Sequence, residues 1–122
     1  MVDKFKQILA DLISQKGKVN LFAILKMDEY TDKWTVIVSA PWINATTKNE
    51  VFALMRDLMI RQFTPEEMAT IARLGIFPND EHIVQELLKY KEGAVISEDE
   101  KVNGNIVHNA HILTSNSPPL QV

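Results

Sequence analysis

Three histidines, His82, His108 and His111, are the side chains in this sequence best suited to acid–base or metal chemistry. His108 and His111 lie three residues apart in segment 105–114, whose alternation of apolar and polar residues indicates a strand. Because side chains three apart in a regular strand point to opposite faces, these two rings are not expected to share an ion. The sequence has no cysteine, which removes thiolate ligands and thiol nucleophiles. We therefore expect neither a metal nor a cofactor.

The strongest acidic cluster is the triplet Glu98-Asp99-Glu100. Consecutive carboxylates do not converge on one cation without a dedicated loop, and no calcium-loop pattern surrounds them, so the triplet predicts a solvated loop. A carboxylate from this segment could still pair with His108 or His111 in space, and acid–base catalysis by such a pair is our alternative function. No nucleophile-elbow or phosphate-loop spacing of glycines accompanies these residues.

Another candidate site lies in segment 40–47, which joins a predicted strand to a predicted helix. Trp42 offers a stacking surface there, and Asn44 lies beside helical amides that attract anions. Tyr30, in the loop between two predicted strands, offers a similar aromatic surface. The alternative is that such rings cover the edge of the core, which is the usual role of large aromatic side chains. The candidate residues for binding a ligand or partner are Tyr30, Trp42, Asn44, His108 and His111.

Hydrophobic spacing and turn residues predict the elements that position these side chains. Thr47-Lys48-Asn49-Glu50 and Thr64-Pro65-Glu66-Glu67 match the capping box, so a helix is expected after each threonine. Asn103-Gly104 is a strong signal for a tight turn. The expected order is a helix ended by Gly17, strands at 19–27 and 34–40, a helix after Thr47, a short helical turn passing into a strand at 71–77, a helix from 78 to Gly93, and strands at 94–97 and 105–114. Continued helix through 68–77 is the alternative for that segment.

This order favours a single α+β domain over residues 1–114, with a mostly antiparallel sheet and three to four helices packed on it. Residues 115–122 contain Pro118 and Pro119 and little to bury, so we expect a flexible tail. The side chains expected to be deeply buried are Leu9, Leu25, Val36, Met55, Leu58 and Leu87.

The composition narrows the classes of partner. Hydrophobic residues make up 46% and charged residues 24%, which excludes a disordered or fibrous chain. A net charge of −3 and scattered lysines disfavour nucleic acid as a partner. The longest apolar run, Leu21 to Leu25, is too short for a membrane span or a signal peptide, so the cytoplasm is the expected compartment.

The predicted strand at 19–27 is apolar on both faces, which suggests that the sheet needs cover on both sides. If the first two strands pair in simple register, Phe22, Ile24 and Ile37 share one face. Either the helices divide between both faces or a second copy of the chain covers one of them, and of the two we expect self-association as a twofold dimer. The expected function is a small non-catalytic module that binds a protein partner or a small ligand.

Overall fold

Strand β1 (Leu21–Met27) is the central strand of the sheet in the computed structural model, which describes residues 1–27 and 32–116. It pairs antiparallel with β2 (Trp34–Ser39) on one side and with β6 (Asn105–Ser115) on the other. All of its side chains except Lys26 are buried. The run of apolar residues without alternation is thus explained by a strand covered on both faces.

Three further strands widen the sheet on both sides. β3 (Ile71–Phe77) pairs parallel with β2 and forms one edge. β4 (Val95–Ile96) and β5 (Glu100–Val102) both pair antiparallel with β6. The strand order is β3-β2-β1-β6-β4, with β5 beside β6, so the six described strands form a mostly antiparallel sheet with one parallel pair.

The described residues also form four helices. Two are long, α1 (Val2–Lys16) and α2 (Lys48–Gln62), and two are short, α3 (Pro65–Met68) and α4 (His82–Leu87). The protein is therefore a small α+β domain with a mostly antiparallel sheet, as the sequence predicts.

Each face of the sheet carries a buried cluster. Phe22 and Ile24 of β1 point to one face, and Leu21 and Leu25 point to the other. The helical members of the first cluster are Phe5, Ile8, Leu12, Val51, Met55, Leu58 and Met59. Val84 and Leu87 of α4 belong to the second cluster. Helices of this same chain thus contribute buried side chains to both faces.

The register of β1 and β2 corrects one expectation. Phe22 pairs with Val38 and Ile24 pairs with Val36, which places Ile37 on the opposite face, in the second cluster. The expected grouping of Phe22, Ile24 and Ile37 on one face is therefore wrong. The argument for a twofold dimer depended on this grouping and no longer supports it. The dimer stays a prediction.

The expected core is correct except at one residue. Leu25, Val36, Met55, Leu58 and Leu87 are buried. Leu9 is only partly buried, because α1 turns the side of Phe5, Ile8 and Leu12 towards the sheet and leaves Leu9 at the flank of that stripe.

Local turn and cap signals have mixed outcomes. The capping box at Thr64 is confirmed, since Thr64 Oγ1 accepts from the Glu67 amide and the Glu67 carboxylate accepts from the Thr64 amide. The side chain of Thr47 makes no such cap hydrogen bond. Asn103 and Gly104 have φ angles of 51° and 80°, as the tight turn requires, and this turn joins β5 to β6.

In the second half of the chain, one predicted strand is confirmed and two other elements differ from the prediction. The strand at 71–77 is present as β3, preceded by the short helix α3. The helix predicted from 78 to Gly93 is shorter and is present only as α4. Strand β5 is an element that the residue spacing does not predict. Ser115 belongs to β6, and residues 117–122 lie outside the described residues, so the flexible tail stays a prediction.

A polar network joins the ends of four strands. Asn20, fully buried before β1, donates through Nδ2 to Asn116 Oδ1 at 3.0 Å and accepts at Oδ1 from Asn79 Nδ2 at 2.9 Å. Ser39, at the end of β2, donates to Asn79 Oδ1 at 2.7 Å. Asn79 follows β3 and Asn116 follows β6. The network therefore links β1, β2, β3 and β6 at one end of the sheet.

Leu58→Ala should lower the free energy of unfolding by about 2–5 kcal/mol, because it leaves a cavity in the first cluster. Urea unfolding followed by circular dichroism measures the loss. Ile60→Ala on the same helix is the control, since Ile60 is 54% exposed and its loss should stay within about 0.5 kcal/mol. A loss of under about 0.5 kcal/mol for Leu58→Ala would contradict the burial of this helix face.

Asn20→Ala should lower the free energy of unfolding by about 1–3 kcal/mol, because the half-buried Asn79 and Asn116 each lose a hydrogen bond worth roughly 0.5–1.5 kcal/mol. The same urea experiment applies. Asn49→Ala, at an exposed position of α2, is the control and should change stability by less than about 0.5 kcal/mol. Equal effects of the two substitutions would show that water replaces the network.

Candidate functional site

The loop before α2 uses its candidate side chains to hold the chain in place. Trp42 Nε1 donates to the carbonyl of Lys18 at 2.8 Å, and the ring packs against the first cluster. Asn44 Oδ1 accepts from the amides of Thr46 and Thr47 at 2.8 and 3.0 Å. Asn44, rather than Thr47, therefore caps the turn that leads into α2, and the Thr47 hydroxyl donates to the Trp42 carbonyl instead. Both candidate side chains have structural partners here.

A β-bulge in β6 changes where its histidines point. The pairing with β1 slips by one residue between Val107 and Asn109, and Val107 and Ala110 are both buried in the second cluster. His108 and His111 therefore both lie on the other surface of β6. The expectation that they point to opposite faces is wrong, because it assumed a regular strand.

His108 and His111 nevertheless have separate surroundings. His108 Nδ1 lies 2.8 Å from Asp99 Oδ1, and both side chains are exposed. His111 is half-buried, with its ring centroid 5.9 Å from that of Trp34. Burial, and then the charge of Lys6, lowers the pKa of His111. Of the two histidines, His108 is the one that lies beside a carboxylate from segment 98–100.

Glu100, also of the acidic triplet, has a different partner. Glu100 lies in β5, so the triplet is only partly a loop. Its carboxylate accepts a hydrogen bond from the Tyr90 hydroxyl, which raises the pKa of Tyr90 to about 12. Among the described residues, no group of three or more acidic or histidine side chains is placed to hold a metal ion. The candidate Tyr30 lies outside the described residues.

A recess with converging polar groups lies between α4, β2, β3 and the β5–β6 turn, and we call it the α4 cleft. Its cavity volume is about 220 Å³. Apolar side chains of the second cluster and its border form one part of the lining, and these are Met27, Ile37, Phe77 and Ile83. The polar lining residues are Thr35, Arg73, Glu81, His82, Asn103 and Asn105.

A second β-bulge brings Arg73 to this cleft. β2 and β3 pair Trp34 with Ile71 but Thr35 with Arg73, so Ala72 is the extra residue. Without that extra residue, Ala72 would face Thr35 and the arginine would point to the opposite face of the sheet. The bulge therefore sets Arg73 beside Thr35 on the side of the second cluster.

Thr35 is the unusual residue in the cleft. It is 1% exposed, and its hydroxyl has no hydrogen-bond partner within the structure as described. A buried hydroxyl without a partner costs roughly 1–3 kcal/mol. Thr35 lines the cleft, but its hydroxyl oxygen is covered, so a ligand forms a hydrogen bond with it by displacing the side chains above it.

Comparison with protein-family models, with curated proteins and with solved structures gives no match. No helix in the described ranges is long and apolar enough to cross a membrane.

Gly75 makes room for an aromatic wall of the α4 cleft. A Cβ atom at Gly75 would lie 2.6 Å from a ring carbon of Phe77 and 3.1 Å from Ile37 Cδ1. The Phe77 ring therefore folds back along β3 over the glycine and contributes to the lining of the cleft. Any larger residue at position 75 would displace this ring.

The opposite wall is closed by a contact between α4 and the β5–β6 turn. His82 Nδ1 is hydrogen-bonded to Asn103 Oδ1, and His82 Nε2 lies 3.4 Å from Glu86. His82 thus links the first turn of α4 to the turn at Asn103-Gly104. By residue type His82 is a candidate for acid–base or metal chemistry, whereas its contacts here join two elements of the fold.

Sequence reasoning missed Thr35 and Arg73 as site residues. The available signal for Thr35 was one polar residue directly before the buried run Val36-Ile37-Val38. No comparable signal marked Arg73, because its direction depends on the bulge at Ala72.

Thr35→Val should raise the free energy of unfolding by about 1 kcal/mol or more, because valine has nearly the same shape and removes an unpartnered buried hydroxyl. Thermal and urea unfolding of both proteins measure the change. Thr46→Val, at an exposed position, is the matched control. A clear loss of stability in Thr35→Val would show that the hydroxyl is already satisfied in the free protein.

Proposed function

We propose that this chain is a non-catalytic module that binds a small, partly apolar carboxylate in the α4 cleft. The observation that carries the proposal is the buried, unpartnered hydroxyl of Thr35 beside Arg73. A carboxylate would accept hydrogen bonds from both groups, and charge-assisted hydrogen bonds of this kind are the stronger ones.

The volume limits the size of the ligand. A cavity of about 220 Å³ is smaller than the clefts of roughly 300–1,000 Å³ that hold drug-sized molecules. It corresponds to the liquid volume of about seven waters at roughly 30 Å³ each. A short aliphatic acid fits this volume, with its chain against Ile37 and Phe77.

The charges around the cleft favour an acid with a second polar group. Glu81 and Arg73 both line the cleft, and neither has an ion-pair partner among the described residues. The arginine favours a carboxylate, whereas Glu81 favours a donor elsewhere on the ligand. Binding of a plain carboxylate therefore depends on Thr35 and Arg73 outweighing Glu81.

Acid–base catalysis remains the second candidate, and the specific observation in its favour is the contact of 2.8 Å between His108 and Asp99. A carboxylate bound to one ring nitrogen orients an imidazole for proton transfer. This pair is exposed to solvent and lies on the β5–β6 hairpin, away from the α4 cleft. Ligand binding in the cleft therefore ranks first.

Butyrate, butyramide and butylammonium test the proposal, because they share a short apolar chain and differ in the polar group. We expect butyrate to bind most tightly and to shift the backbone amide resonances of Thr35, Arg73 and His82 in two-dimensional NMR spectra. Thr35→Val should weaken butyrate binding about tenfold or more, the effect of losing one hydrogen bond to a charged group.

Thr46→Val is the control for this titration and should leave the affinity unchanged. Tightest binding of butylammonium would overturn the carboxylate assignment and point to Glu81 as the dominant group. Shifts confined to residues outside the α4 cleft, or equal affinity of butyrate for Thr35→Val, would overturn the proposed site.

A further inference from the structure

A second recess lies between α2 and β3, and we call it the α2–β3 groove. Arg73 is the only described residue that it shares with the lining of the α4 cleft. Its cavity volume is about 210 Å³. The apolar part of its lining consists of Phe52, Met59, Met68, Ile71 and Leu74. Phe52 is 44% exposed, although the helical spacing of α2 places it beside residues of the core. An aromatic ring left in solvent at the mouth of an apolar recess is typical of a surface that receives a partner.

One guanidinium group borders this apolar lining. Arg56 lies one helical turn after Phe52 on α2 and lines the groove, whereas the side chain of Arg73 is directed to the opposite face of β3, beside Thr35. Arg56 has no ion-pair partner within residues 1–27 and 32–116, and the lining of the groove contains no acidic residue. The local charge is therefore positive although the whole chain carries a net charge of −3. An acidic side chain is the natural complement to this arginine.

The third observation concerns the backbone beside the groove. β3 is the last strand on its side of the sheet, so one row of its N–H and C=O groups faces no described strand. Such an edge pairs readily with an extended segment of another chain. From Arg73 to Phe77 the pairing of β3 with β2 is regular, which leaves five consecutive residues available as a template.

We propose that the α2–β3 groove binds an extended peptide segment of a partner protein in which acidic side chains alternate with apolar ones. The backbone of the segment pairs with the outer edge of β3, its apolar side chains enter the groove against Phe52 and Leu74, and an acidic side chain meets Arg56. This inference does not rest on ligand binding in the α4 cleft.

A second copy of the chain is a poorer occupant of the same surface. The described lining of the groove contains arginine and no acidic residue, so a twofold contact of this surface with itself would bring two positively charged grooves together. Like charges brought together across an interface oppose association. A peptide that supplies carboxylates meets no such repulsion.

Selection from a displayed library of random linear peptides against the immobilised chain tests the proposal. We expect the selected peptides to carry aspartate or glutamate next to leucine, valine or phenylalanine. Fluorescence anisotropy with a synthetic copy of the best peptide then measures affinity. Arg56→Glu should weaken binding about tenfold or more, the effect of replacing an attractive charged contact by a repulsive one.

Two further measurements make this result specific. The same peptide with its acidic residues changed to lysine should bind the Arg56→Glu chain more tightly than it binds the unaltered one. Arg61→Glu is the matched control, because Arg61 is an exposed arginine of the same helix that lines a different recess, and it should change affinity less than twofold. Arg56 is chosen over Arg73 because Arg73 also lines the α4 cleft.

Several outcomes would overturn the proposal. These are a selection without enriched peptides, enriched peptides that lack acidic residues, and equal losses from Arg56→Glu and Arg61→Glu. A concentration-dependent dimer that Phe52→Ala abolishes would identify a second copy of the chain as the occupant. Arg56 and Arg61 are both exposed, so we expect neither substitution to the acidic residue to change the melting temperature. The affinities of the two variants can then be compared as effects on binding alone.

Discussion

The buried amide of Asn20 is the interaction on which the rest of this fold depends. Through Asn116, Asn79 and Ser39 it connects the ends of the central antiparallel strands to the end of the parallel edge strand. Asn79 in turn receives a hydrogen bond at its carbonyl from Gln85 of α4, at 2.6 Å. The same network therefore fixes the sheet and the helix that covers its second face, and with them both walls of the α4 cleft. Its members are short amide and hydroxyl groups, each with a partner, as a buried polar network requires.

Of the three register shifts between paired strands of the described sheet, two decide which candidate side chains each face presents. The bulge at Ala72 sets Arg73 beside Thr35, and the bulge near His108 turns that histidine to the same surface as His111. Because side-chain direction alternates along a strand, one extra residue exchanges the two faces for everything beyond it. The chemistry available on each face thus follows from two local insertions rather than from the general pattern of the strands.

This explains how far the sequence could predict the protein. Several features set by neighbouring residues were predictable, such as the Thr64 capping box, the Asn103-Gly104 turn and the apolar central strand, although the same capping pattern at Thr47 forms no cap hydrogen bond. Features that depend on pairing between distant segments were not, and the direction of Arg73 is the clearest case. The candidate site shows the same division. The histidines are candidates for chemistry because of their residue type. The α4 cleft, in contrast, is formed by residues of ordinary type that the fold brings together from separate segments.

The position of β1 has a consequence for how the protein is made. Its second neighbour, β6, is the last strand of the sheet to be synthesised, and the amide network joins residues 96 positions apart. A nascent chain can form α1 and the β1–β2 pair early, but one edge of β1 stays open until β6 has left the ribosome. During that interval an unpaired apolar strand is exposed to other nascent chains and to chaperones, which bind such segments. Contacts this distant in sequence also slow folding of the complete chain. The placement of an early strand at the centre of the sheet therefore makes completion of the fold a late event, governed by the arrival of the C-terminal strand.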